Sequence, residues 1–93
     1  MEIIWRRVAL HDLEEIRRYI GQGNPAADRT RAMIRNAVLR LADHPNLGWS
    51  GRVDGTRELV IPGTPYIVVY RVLDQRLRIL SVIHGSRRWP ERF

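Results

Sequence analysis

Apolar positions along this chain follow two periods. Up to residue 44 they recur at helical spacing; from residue 57 they fall into short strand-like runs. Ahead of the helical part, Glu2 to Arg6 is short and partly β-branched. It predicts a strand with Ile3 and Trp5 on one side and Ile4 on the other. Val8, Leu13, Ile16 and Ile20 then lie near helical spacing, with Glu14, Glu15, Arg17 and Arg18 opposite. Asp12 and the two glutamates precede the arginines, an order that suits the helix dipole. Gly21-Gln22-Gly23 stops this helix. Asn24 is a good N-cap and Pro25 suits a first helical position, so a second helix starts there. Ala27, Ile34, Val38 and Leu41 form its apolar stripe, widened by Met33 and Ala37. Asp43-His44-Pro45 ends it, because a residue before proline avoids the helical region. So short a joint makes the two helices an antiparallel hairpin.

The second half is sheet-like. Asn46 to Gly55 reads as a loop, Arg57 to Ile61 as a strand and Pro62-Gly63-Thr64-Pro65 as a turn. Tyr66 to Leu73 and Arg76 to Ile83 are two further strands around a hairpin tip at Asp74-Gln75, and His84 to Pro90 is an exit segment. The order β-α-α-β-β-β predicts an α+β domain, a helical hairpin packed on an antiparallel sheet. Residues 1–93 make one small domain, too short for two cores.

Parity in the central strand sharpens this. Tyr66, Val68, Tyr70 and Val72 face one way; Ile67, Val69, Arg71 and Leu73 face the other. Both faces are largely apolar and the helices cover only one. The second face is expected to expose Ile67, Val69 and Leu73 unless something covers it, and an exposed apolar patch of that kind marks a partner surface.

Composition removes several function classes. No apolar run approaches a membrane span, and no signal-peptide core follows the N-terminus. With no cysteine there is no disulfide framework and no thiolate metal site. His11, His44 and His84 are scattered, so no metal is expected, and no nucleotide fingerprint marks a cofactor. The formal charge of +6 points to an anionic partner. All sixteen basic residues are arginines, which grip phosphate or carboxylate bidentately and cannot act as bases at neutral pH.

Two places carry candidate chemistry. His84 ends the last strand just before Arg87, Arg88 and Trp89. It either satisfies loop backbone or acts as acid or base beside a phosphate held by arginine. Arg57 and Glu58 either pair across strands or serve as a phosphate clamp and a general base. Ser50 has no identifiable histidine and aspartate partners. Tyr66 and Tyr70 read as core or core-edge residues.

A chain-long set of short matches gives these fragments a context. It comprises Trp5, Ala9, Asp12-Leu13, Ile16, Tyr19-Ile20, Asn24-Pro25-Ala26-Ala27, Leu41, Pro45, Gly51-Arg52 and Gly55-Thr56-Arg57-Glu58-Leu59. Tyr66-Ile67-Val68-Val69-Tyr70-Arg71-Val72, Ile79-Leu80, Val82, His84 and Arg88-Trp89-Pro90 complete it. In these residues the chain resembles the RelE/ParE superfamily of type II toxin–antitoxin toxins. The resemblance implies a curved sheet and a cytoplasmic bacterial toxin of the plasmid-stabilising kind. It also implies a neighbouring antitoxin, ParD-like and of ribbon-helix-helix type, in a hetero-oligomer with the toxin. The antitoxin's wrapping segment would lie on Ile67, Val69, Arg71 and Leu73.

The superfamily divides by target. RelE-like members cleave mRNA on the ribosome; ParE-like members poison DNA gyrase and are not nucleases. The RNase branch carries an arginine two residues before the central Val-Tyr pair, where this chain has Ile67. Tyr70-Arg71-Val72 also looks more like the ParE branch. The first reading is therefore a ParE-like gyrase inhibitor that needs no cofactor, with Arg71, Arg78, Arg87, Arg88 and Trp89 facing the target. The alternative is a metal-independent endoribonuclease using Arg57, Glu58, His84 and Arg87. A third is a module that binds antitoxin without toxicity.

Overall fold

A computed structural model describes residues 1–93. The chain runs β1 (Glu2–Trp5), α1 (Arg7–Ile20), α2 (Pro25–Asp43), β2 (Trp49–Ser50), β3 (Arg57–Val60), β4 (Tyr66–Leu73) and β5 (Arg76–His84). Five strands form one sheet in the order β1-β5-β4-β3-β2. The expected helical hairpin on a sheet is present. Two details differ from expectation. β1 runs parallel to β5, so the sheet is mixed, and Trp49 and Ser50 add a two-residue edge strand opposite Glu58 and Arg57. A pair of residues is too short to register as a period, which is why the segment reads as loop.

Asn24 caps α2 through its side chain, which accepts from the Ala26 amide at 2.9 Å, with Pro25 at the first helical position. α1 begins at Arg7 without a side-chain cap and with no acid in its first turn. Asp12 therefore lies too far along to serve the dipole. Its stripe also shifts by one residue: Ala9, Leu13 and Ile16 are buried, whereas Val8 is 48% exposed. Ala9 is the residue that lets the helix sit close to the sheet.

The main core lies between the helices and one sheet face. Leu13, Ile16, Ile34, Val38 and Leu41 meet Tyr66, Val68, Tyr70, Leu77, Ile79 and Val82. Each fully buried aliphatic side chain contributes about 1.5–3 kcal/mol. Tyr70 adds a polar tie. Its hydroxyl donates to the Pro45 carbonyl at 2.7 Å and accepts from the Gly48 amide at 2.9 Å. A Cβ on Gly48 would meet that oxygen at 2.5 Å, so only glycine lets the loop after α2 approach.

β5 carries a bulge. Val69 pairs with Ser81 and the next residue, Tyr70, with Ile79, leaving Leu80 as the extra residue. Alternation resets there. Leu80 turns to the face away from the helices, packing with Val69 and Ile83, while Ser81 donates to Asp12 at 2.6 Å. The same Asp12 oxygen accepts from the Val82 amide at 2.9 Å, on the stretch of β5 beyond its pairing with β1. Asp12 thus occupies the hydrogen-bonding place of a missing neighbour strand.

Replacing Tyr70→Phe should lower unfolding free energy by about 1–3 kcal/mol, because the Gly48 amide and Pro45 carbonyl lose their shared partner. Urea unfolding checks this; an unchanged midpoint would show the tie to be dispensable.

Candidate functional site

The second face of the sheet is covered, and by the chain itself. Ile67 is 8% exposed and Val69 fully buried. Val69, Leu80 and Ile83 form a small second core, and Trp89 and Phe93 of the C-terminal tail pack on it. The tail's aromatic rings meet edge to face, with centroids 6.3 Å apart. Arg52, from the loop after β2, lies over the Trp89 ring at 3.9 Å and faces Glu58 at 3.5 Å. Glu58 also accepts from the Arg52 amide at 2.6 Å. A chain of contacts, Glu58 to Arg52 to Trp89, therefore clamps the tail from its outer side.

This corrects the expectation of an exposed apolar strip at Ile67 and Val69. Trp89 and Phe93 cover Val69, and Ile67 is buried as well, with Gly85 beyond β5 close to its Cδ1. Only Arg71 and Leu73 of that set remain exposed, Leu73 at 45%. The open part of this face continues through Arg78, which pairs with Arg71 across the two strands and is half-buried. At the far edge Trp49 is 80% exposed.

The groups considered for phosphate chemistry separate into two places. His84 pairs with Tyr66 on the helix side, and its ring meets Tyr66 and Tyr19 edge to face, at 5.6 and 6.1 Å. Its Nδ1 accepts from the Ser86 amide at 3.2 Å, a contact that leaves Nε2 as the protonated nitrogen of the neutral ring. Arg87 joins Tyr19, Tyr66, His84 and Ser86 around a small recess of about 150 Å³. Burial raises the Tyr66 phenol above its usual range, the neighbouring Tyr19 adds to this, and Arg87 opposes it.

Arg57 and Glu58 are elsewhere. Arg57 lies opposite Tyr70, four residues along β4 from Tyr66, or roughly 13 Å at the usual strand rise. Its guanidinium donates to the carbonyls of Gly48 at 2.6 Å and Asn46 at 3.2 Å. Glu58 lies opposite Val69, on the face away from His84. The structure brings His84 and Arg87 together but sets Arg57 apart and turns Glu58 to the other face. Arg88 is exposed beside the tail. Sequence reasoning met Tyr19 and Arg52 only as part of the family resemblance, without a site role, and passed over Phe93. The one available signal for Asp12 is Ser81, a lone hydroxyl inside an apolar strand.

Comparison with known proteins now decides the family. The model of the ParE toxin of the type II toxin–antitoxin system parDE matches residues 3–89. The chain belongs to this ParE toxin family. A putative toxin, Y4kP, from Sinorhizobium fredii is 43% identical over 90 residues, covering 96% of this chain and 93% of that protein. Toxin RelE2 of Caulobacter vibrioides is 34% identical over 87 residues, covering 92% and 97%. Among solved structures, the chromosomal ParDE system of P. aeruginosa superimposes with a TM-score of 0.80 at 25% identity, over 90% and 95% of the two chains. The intact E. coli RelBE complex matches in fold, with a TM-score of 0.67 at 16% identity over 92% and 98%. This ParE-family toxin has no helix long and apolar enough to cross a membrane.

Removing the indole in Trp89→Ala should cost about 2–4 kcal/mol, less than a fully buried tryptophan because the residue is only partly buried. Arg52→Ala should cost about 0.5–1 kcal/mol. Equal stability of Trp89→Ala and the parent in urea would show that the tail does not cover the sheet.

Proposed function

We propose that this ParE-family toxin arrests growth by trapping DNA gyrase, without itself cleaving nucleic acid, and that a cognate antitoxin neutralises it in the cytoplasm. The separation of the ribonuclease candidates carries the reading. A metal-free transesterification needs base, acid and phosphate clamp around one phosphodiester. Here Glu58 and His84 lie on opposite faces, and Arg57 is spent on loop carbonyls. Position 67, where the RNase branch has arginine, is a buried isoleucine. The target surface would be the exposed guanidinium groups at Arg71, Arg87 and Arg88, with the half-buried Arg78 and Trp89.

The likeness to a ParDE system supports a ParD-like antitoxin as the partner, which we take to be of ribbon-helix-helix type. With Ile67 and Val69 covered, its segment would find Arg71, Leu73, Val60 and Trp49 open on the sheet side. One observation favours the endoribonuclease reading instead: the cluster of His84 and Arg87 with Tyr19 and Tyr66.

The test runs gyrase supercoiling and cleavage reactions beside toe-printing of mRNA in a translation mix. The expected outcome is trapped gyrase–DNA cleavage complexes and uncut mRNA. Full gyrase turnover at high toxin excess would overturn the proposal. Codon-phased mRNA cuts that vanish in His84→Ala and Arg87→Ala would put the ribonuclease in its place. Induction without growth arrest would leave only antitoxin binding.

A further inference from the structure

A second recess lies beside the tail, walled by the start of α1, the β5 edge beyond its pairing with β1, and the last residues of the chain. It encloses about 340 Å³. Its floor is apolar, from Val82, Ile83 and Phe93, and four arginines line it: Arg6, Arg87, Arg88 and Arg92. None of these four guanidinium groups has a carboxylate partner, whereas Arg17, Arg18, Arg31, Arg52 and Arg76 all do. Asp12 is the single acidic side chain on the lining, and one of its oxygens is already taken by the Ser81 hydroxyl and the Val82 amide. Four cations therefore share one concavity with little internal compensation. Their mutual repulsion is relieved by an anion, and a concave, partly apolar wall concentrates their field.

We propose that this recess binds a nucleotide, with its phosphate held by the arginines and its base against Phe93. Three features select this ligand. Guanidinium forks match phosphate oxygens bidentately, and several of them can serve one polyanionic group. The volume is at the small end of ligand cavities, sized for a mononucleotide and too large for inorganic phosphate to fill. The Phe93 ring and aliphatic floor give a base an apolar surface on which to stack. An acidic peptide fits less well. An extended chain sets side chains of one face roughly 7 Å apart, which suits a strip of charge more than one converging recess.

A free nucleotide and one residue of a single strand share this chemistry. The site favours neither on volume, but Arg87 also lines the Tyr19–His84 recess. A strand's next residue would have an aromatic surface there. The site shares Arg87 and Arg88 with the proposed target surface, and its test reads binding alone.

Arginine Nε–Hε and Phe93 ring resonances of the full chain report on the site directly. Adding adenosine 5′-monophosphate should shift the signals of Arg6, Arg87, Arg88, Arg92 and Phe93 saturably, while adenosine should leave the arginines unmoved. The Arg6→Gln/Arg92→Gln variant should bind at least about tenfold more weakly, having lost two charge-assisted contacts. The Arg29→Gln/Arg35→Gln variant, with the same change in net charge, should bind as the parent does. A phosphorylated adenine dinucleotide that binds more tightly than the monophosphate would assign the site to a strand; equal or weaker binding would assign it to free nucleotide. Equal losses in both variants, identical shifts with adenosine, or tighter binding of a glutamate-rich peptide would overturn the proposal.

Discussion

Strand β4 is apolar on both sides, and that constraint organises the molecule. A sheet whose central strand presents Val68 and Tyr70 one way and Ile67 and Val69 the other needs two covers. The helical hairpin supplies the first, with most of the core. The second comes from residues beyond the last strand, where Trp89 and Phe93 close over Val69, Leu80 and Ile83. The Leu80 bulge makes this arrangement possible. It turns Leu80 to the tail and Ser81 to Asp12, so one irregularity serves both layers.

The two covers differ in strength. The helix side has fourteen buried residues in its cluster and the tail side three. The tail has no backbone ladder of its own and depends on two aromatic rings and the Arg52 clamp. Its neighbourhood is also where unpaired arginines gather. Four exposed arginines thus sit on or beside the part of the molecule that is held most lightly.

Much of this was legible in the residues. Asn24-Pro25 marks the start of α2, and the period change near residue 57 marks the sheet, because capping and alternation are local. The demand for a second cover was legible as well, from parity in β4. Its source was not. Trp89 and Phe93 sit in an aperiodic segment, and nothing local says that an exit segment folds back over Val69, Leu80 and Ile83. Bulges escape for the same reason, since Leu80-Ser81-Val82 reads as regular alternation until its partner strand is known. At the site, Glu58 and His84 come together in the ribonuclease alternative as possible base and acid. Only strand register shows that they face opposite ways.

The closure of the second face by the tail is the claim on which the placement of the arginines around the tail rests. Nuclear Overhauser contacts between the Trp89 indole and the methyl groups of Val69, Leu80 and Ile83 measure it most directly. Strong cross-peaks from the indole to this group of methyls are the predicted result. An indole with sharp, solvent-like resonances and no contact to these methyls would contradict it.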